Sequence, residues 1–193
     1  MKTLLATAAI AVSLAAGVSV AAADEVQDKA KELASSEIKT FTQNPAVVAA
    51  IKEQNAKHAS LSQGDVDGLD AKWREERKSA SSPMIDELSG RPASAELIKF
   101  RDGGQGLFTE VFIMDDKGLN VAMSDPTSDY WQGDEAKWQE TFQAGPDAVH
   151  VSDVEKDDST GTFQIQVSMT VVDGGQPIGA ITVGVDADQL MSR

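Results

Sequence analysis

The chain has 193 residues, contains no Cys, and carries a formal net charge of −14 at pH 7. A surface this acidic repels phosphate groups, which excludes nucleic acid and anionic membranes as leading partners. Without Cys, the chain forms no disulfides and has no lipidated cysteine or Cys nucleophile.

The first 23 residues have the three parts of a secretory signal peptide. Lys2 supplies a short positive region, an apolar Ala-, Leu- and Val-rich run covers residues 4–20, and Ala21-Ala22-Ala23 is a small-residue cleavage site. A retained transmembrane anchor is the alternative, but the run is short for one. We expect cleavage and a mature periplasmic chain, residues 24–193, with no further membrane insertion.

Residues 24–106 have patterns typical of helices. The predicted helices run over residues 24–41, 45–57, 65–79, 83–88 and 93–100. In the first, apolar residues recur every three or four positions, which indicates an amphipathic helix. Asn44 and Pro45 predict the N-cap and first residue of the second, and Asp65 is the predicted N-cap of the third.

Residues 107–193 have patterns typical of an antiparallel sheet. Five strands are predicted, over residues 107–114, 119–124, 148–154, 163–172 and 177–186, with turns at 115–118, 155–161 and 173–175. Over residues 163–171 the odd positions are apolar and the even positions polar, so one face packs and the other meets a wet environment. That polar face is either open to solvent or lines a pocket.

Residues 125–145, hereafter the flap, form a long polar connection with a helix predicted at 134–142. The flap combines acidic and aromatic side chains, a pairing that suits a cationic ligand. The alternative is that one Trp packs against the sheet and the other rings cover a small core within the flap. The predicted fold class is α+β, with a five-stranded antiparallel sheet packed against the long N-terminal helix and additional N-terminal helices, all in one domain over residues 24–193.

Four stretches together resemble the extracytoplasmic Cache family of PAS-like periplasmic sensor domains. They are residues Asn44–Ile51, Val111–Ser124, Asp129–Trp138 and Val171–Asp186. The resemblance implies a single sensor domain with a PAS-like sheet. It also implies a small metabolite ligand (an amine, amino acid or organic acid) bound between sheet and flap, and a membrane receptor, histidine kinase or transporter as partner.

In amino-acid-binding members of that family, aromatic and charged residues of the connection hold the ligand, and an Asp at the end of the last strand holds its amine. The resemblance maps these roles onto Tyr130, Trp131 and Trp138, with Asp186 as the closing Asp. The family has an Arg before its Trp, whereas this chain has Asp134, Glu135 and Lys137 in that neighbourhood.

The predicted ligand-binding residues are Asp129, Tyr130, Trp131, Asp134, Trp138, Gln166, Ser168 and Asp186. For Asp186 the alternative is the N-cap of a helical turn over residues 187–191.

No metal, cofactor or catalytic residue is predicted. The EF-hand-like run at 65–76 has Asp70 where the loop requires Gly, and His58 and His150 do not form a ligand-spaced pair. The predicted function is a stand-alone, non-enzymatic sensor that acts as accessory to a signalling or transport partner. The alternative is an envelope structural or protein-interaction module without a small ligand.

Overall fold

The structure is a computed structural model that describes residues 20–156 and 162–193. Residues 1–19 of the predicted signal peptide and residues 157–161 of the predicted turn lie outside this described part. Within the described part, no helix is both long enough and apolar enough to cross a membrane.

The helices largely follow the sequence pattern. They are α1 (Val20–Leu33), a π-helical turn (Ala34–Ile38), α2 (Lys39–Phe41), α3 (Pro45–His58), α4 (Gln63–Glu76), α5 (Pro83–Ser89), α6 (Pro92–Gly103), α7 (Ala136–Gln139) and α8 (Ala187–Met191). The predicted cap of α3 is confirmed, since Asn44 Oδ1 accepts a hydrogen bond from the Ala46 N–H at 2.9 Å. The flap helix α7 is shorter than predicted.

The predicted cap of α4 was wrong by three residues. Ser62 is the N-cap, and Asp65 is the third residue of the helix. The Asp65 carboxylate accepts a hydrogen bond from the Ser62 N–H at 2.9 Å, and the Ser62 hydroxyl accepts one from the Asp65 N–H at 3.3 Å. This reciprocal capping box satisfies backbone donors at the helix start, which is why an acidic residue stands there.

The strands form one antiparallel sheet. They are β1 (Phe108–Met114), β2 (Asn120–Met123), β3 (Val149–Val151), β4 (Glu155–Lys156), β5 (Phe163–Asp173) and β6 (Gln176–Asp186). The order across the sheet is β2-β1-β6-β5-β3, and β4 pairs with the start of β5. The α+β class is confirmed. The sheet has six strands rather than five, because two residues of the predicted 155–161 turn continue the pairing.

One face of the sheet packs on the N-terminal helix, as predicted. Val26, Ala30, Leu33 and Ile38 share a buried core with the odd-numbered side chains of β5 from Ile165 to Val171. Phe163 is the exception, with 48% of its surface exposed at the beginning of the strand.

The opposite face is covered by a second buried core at its β1–β2 end. Phe112 and Met114 of β1 pack there with Trp73 of α4, Leu88 of α5 and Trp138 of the flap. The tight β1–β2 turn that borders this core requires glycine, because Gly118 has φ +80° and a Cβ there would lie 2.5 Å from Gly133 Cα. The flap therefore packs directly on this turn.

Candidate functional site

A polar groove lies between the sheet and the flap, where the second core ends. Its floor is formed by Glu110 and Phe112 of β1 and by Gln164 and Gln166 of β5, and its volume is about 400 Å³. Such a volume is within the range of sites for small molecules.

The groove floor is open because the central strand has a glycine at this level. Gly184 of β6 pairs with Glu110 on one side and Gln166 on the other. The two side chains meet above it, where Gln166 Nε2 donates to Glu110 Oε1 at 2.9 Å. A Cβ at position 184 would lie 2.7 Å from Glu110 Cγ, so a larger residue would displace the carboxylate.

The roof of the groove comes from the flap, and Lys137 is its basic residue. The Lys137 side chain is only 14% exposed, and its Nζ lies 2.9 Å from Glu135 Oε2 and 3.3 Å from Gln132 Oε1. The same ammonium lies 5.5 Å from the centroid of the Phe112 ring on the floor. A partly desolvated cation thus faces an acidic, amide-lined floor.

The groove continues towards the edge of the sheet. Its extension, of about 300 Å³, is lined by residues that include Lys137, His150 and Ser152. His150 Nδ1 lies 3.0 Å from a carboxylate oxygen of Glu140, just beyond α7. The site is therefore elongated, with Lys137 lining both parts.

The flap is held in place by helix α4. Asp70 Oδ1 accepts hydrogen bonds from the Tyr130 and Trp131 N–H groups at 2.9 and 3.1 Å, and Trp73 Nε1 donates to the Thr127 carbonyl at 3.0 Å. Asp70 is 3% exposed and Trp73 is fully buried. The flap backbone beside the groove is thus anchored to α4.

The indole groups of the flap bond to the β1–β2 turn. Trp131 Nε1 donates to the Lys117 carbonyl at 2.8 Å, and Trp138 Nε1 donates to the Asp115 carbonyl at 3.1 Å. Trp138 is 7% exposed and stacks on Phe142. Neither indole lines the groove.

Tyr130 lies on the other side of the flap from the groove. It is 2% exposed, and its ring stacks on Trp73 with centroids 5.4 Å apart. Burial raises the pKa of the Tyr130 phenol well above its ordinary range, and the Asp115 carboxylate adds to the shift. The three aromatic residues for which ligand contact was predicted therefore occupy packing positions. Trp138 packs against the sheet, as in the alternative, whereas Tyr130 stacks on Trp73 of α4 rather than within the flap.

Of the eight predicted site residues, Gln166 has its side chain on the groove floor. Asp129 lies behind the roof, where its Oδ1 accepts a hydrogen bond from Gln132 Nε2 at 2.6 Å. Asp134 is exposed on the outside of the flap. Asp186 caps α8, since its Oδ1 accepts from the Gln189 N–H at 2.8 Å.

The polar face of β5 was predicted either to meet solvent or to line a pocket, and only its first half lines the groove. Gln164 and Gln166 line the groove. Ser168 is fully buried and its hydroxyl is 3.0 Å from that of Thr182, while Thr170 Oγ1 donates to the Gly145 carbonyl at 2.7 Å. The flap therefore seals the half of the strand nearest the second core.

Glu110 and Lys137, which line the groove together with the charged residues Glu155 and Lys156, were not predicted as ligand contacts. Glu110 could have been noticed in the sequence, because it is the single charged residue of the mainly apolar strand Phe108–Met114. Lys137 could also have been noticed, because it is the one basic residue in the acidic flap. A carboxylate and an ammonium on opposite walls can orient a ligand that carries charges of both signs.

Among known proteins, solved structures are the ones to which this chain is similar. No protein-family model matches the chain, and no curated protein matches its sequence. A ligand-binding domain of the Campylobacter jejuni chemoreceptor Tlp3, in complex with 4-methylisoleucine, is 14% identical with a TM-score of 0.40. That similarity covers 79% of this chain and 65% of the receptor domain.

Two further structures are similar to the same degree. The ligand-binding domain of the Pseudomonas aeruginosa amino acid chemoreceptor PctC, in complex with GABA, is 14% identical over 88% of this chain and 61% of that one, with a TM-score of 0.39. The sensor domain of the Vibrio cholerae histidine kinase DctB is 13% identical over 89% of this chain and 58% of that one, with a TM-score of 0.40.

The chain thus spans less than two thirds of the length of these three neighbours. The neighbours are sensory and ligand-binding domains, the same class that the sequence motifs resemble. Because the TM-scores are below 0.5, the function proposed below rests on the geometry of the groove in this chain.

Proposed function

We propose that this chain is a periplasmic ligand-binding sensor, and that a small polar metabolite binds in the groove between β1, β5 and the flap. Cleavage of residues 1–23 would release the mature domain, residues 24–193. The bound form would act as accessory to a signalling or transport partner, such as a membrane receptor, histidine kinase or transporter. The proposed role is non-enzymatic.

The observation that carries this proposal is the opposition of Lys137 and Glu110 across a groove whose floor Gly184 leaves open. A packed core would have filled that space with apolar side chains. Instead amide, carboxylate and ammonium groups converge on it, and the flap above is anchored to α4 and to the β1–β2 turn. Convergent polar groups on a rigid support are the usual composition of a specific small-molecule site.

Each wall of the groove has a complementary proposed role. Lys137 is the proposed contact for a ligand carboxylate, and Gln132 and Glu135 hold its ammonium in place. Glu110, oriented by Gln166, is the proposed contact for a ligand amine. An amine can pair with Glu110, an organic acid can pair with Lys137, and an amino acid can pair with both.

A thermal-shift screen of the mature chain against amines, amino acids and organic acids tests the proposal. A ligand is expected to raise the melting temperature in a saturable way, since it binds the folded state only. Lys137→Gln and Glu110→Gln should each weaken binding by about tenfold or more, which corresponds to about 1.4 kcal/mol of lost charge-assisted contact.

The control is Lys39→Gln, which removes a charge from an exposed position on α2. It should bind the same ligand as tightly as the unmodified chain. If no compound of the three classes gives saturable stabilisation, the groove is not a metabolite site, and the alternative of an envelope interaction module gains support.

A further inference from the structure

A second cavity lies on the far side of the flap from the groove, between helices α3, α4 and α5. This cavity, hereafter the helix crevice, has a volume of about 580 Å³. Its apolar lining includes Leu61, Leu69, Met84 and the ring of Tyr130. Leu61, Leu69 and Met84 are each only partly buried, so they present apolar surface to the crevice.

The charged lining of the crevice is mainly basic, whereas the chain as a whole is acidic. Lys57, Lys72 and Arg91 line the crevice together with His58 and one carboxylate, Glu87. Arg91 already neutralises Glu87, because its Nε and a terminal nitrogen lie 3.0 and 3.1 Å from the two carboxylate oxygens. In a chain with a formal charge of −14, this lining is a local basic surface.

Lys57 is the basic group that is available to a ligand. Arg91 is committed to Glu87, Gln54 and the Val121 carbonyl, and Lys72 lies 3.8 Å from Glu76. Among the residues that the structure describes, no carboxylate lies within ion-pair distance of Lys57. Its four-carbon stem leaves the exposed ammonium beside the apolar lining.

We infer that the helix crevice binds an amphipathic carboxylate, meaning an unbranched hydrocarbon chain that ends in a carboxyl group. The carboxylate pairs with Lys57, and the hydrocarbon covers Leu61, Leu69 and Met84. Covering these side chains removes apolar surface from water, at about 25 cal/mol per Å². This site is separate from the groove, since the flap lies between the two.

Isothermal titration of the mature chain with decanoate, kept below its micelle concentration, tests the inference. Decanoate should bind saturably, and butyrate, which has too little hydrocarbon, should bind far more weakly. Lys57→Gln and Leu69→Gln should each weaken decanoate binding by about tenfold, which corresponds to about 1.4 kcal/mol. Lys57 is exposed and Leu69 is only partly buried, so circular dichroism should show that both variants remain folded.

Two further variants make the outcome decisive. Lys39→Gln removes the same charge far from the crevice, and Lys137→Gln changes the groove, so both should bind decanoate as the unmodified chain does. The inference is overturned if decanoate does not bind, or if Leu69→Gln binds it unchanged. It is also overturned if Lys39→Gln weakens binding as much as Lys57→Gln, or if Lys137→Gln alone abolishes it.

Discussion

At the scale of single residues, Tyr130 shows how a buried group links packing to pH. The phenol is 2% exposed in the second core, and Tyr130 is the single tyrosine of the chain. Burial disfavours the phenolate, so the pKa of Tyr130 is raised in the folded state. In the unfolded chain the phenol titrates near its ordinary pKa of about 10.

The sign of the effect on stability follows from these two pKa values. Below about pH 10 the phenol is protonated in both states, and its contribution to stability is complete. Above that pH the unfolded chain releases the proton first, so stability falls as pH rises. We predict that tyrosinate absorbance will appear together with the loss of circular dichroism, as one cooperative alkaline transition.

Tyr130→Phe is the matched control, since it keeps the ring and removes the proton. It should lose the tyrosinate signal and move the alkaline unfolding midpoint to higher pH. A native protein that forms tyrosinate near pH 10 with its circular dichroism unchanged would contradict the burial of this phenol.

The same residue explains why the ligand site was only partly predictable. Tyr130, Trp131 and Trp138 lie in one polar segment, but the direction in which each ring points cannot be predicted from the local sequence. The orientation of each ring is set by contacts between residues that are distant in sequence. Asp70 accepts a hydrogen bond from the Tyr130 N–H, and the Asp115 carbonyl accepts one from the Trp138 indole. Gln166 was predictable because strand alternation alone fixes its face.

At the scale of elements, helix α4 positions the flap. It carries no predicted site residue, yet Asp70 and Trp73 bond to the backbone of residues 127–131. Asp70 also pairs with Arg74 one turn further along the helix. The distance of the groove roof from its floor therefore depends on a helix that does not touch the groove.

We predict that Asp70→Ala will lower the free energy of unfolding by about 2–6 kcal/mol, because it leaves the Tyr130 and Trp131 N–H groups without an acceptor at about 1–3 kcal/mol each. Urea unfolding measures the change. Amide hydrogen exchange should accelerate over residues 127–131 before the rest of the sheet.

The control for this prediction is Asp67→Ala on the exposed face of the same helix. It should change stability by no more than about 0.5 kcal/mol. Equal losses in the two variants would mean that the charge of the helix, rather than the anchoring of the flap, is responsible.

The elements themselves were largely predictable from local patterns. Apolar periodicity located the first helix, capping and helix-breaking residues located α3 to α6, and strict alternation located β5 and its buried face. Two differences have local causes that composition does not reveal. Asp65 takes part in a capping box rather than capping α4 alone, and Glu155–Lys156 pairs with β5 although it reads as a turn.

At the scale of the whole molecule, the excess of acidic residues sets the response to salt. The chain has 31 Asp and Glu against 17 Lys and Arg. Surface ion pairs such as Lys31–Asp28 and Lys99–Glu96 are worth at most about 1 kcal/mol each and weaken as salt screens them. Repulsion among the unpaired carboxylates is screened by the same ions, and its loss stabilises the folded chain.

We expect the repulsion among the unpaired acidic groups to exceed the attraction within these exposed pairs. Salt should therefore stabilise the folded chain mainly by screening that repulsion. We predict that sodium chloride, raised from about 0.01 to about 0.2 M, will increase the melting temperature, as the screening length shortens from about 30 Å to below 10 Å. Differential scanning calorimetry measures the shift. The increase should be absent near the sequence pI of about 4.4, where the net charge vanishes. A melting temperature that falls with salt at pH 7 would show that the ion pairs, not the repulsion, control the stability of this acidic surface.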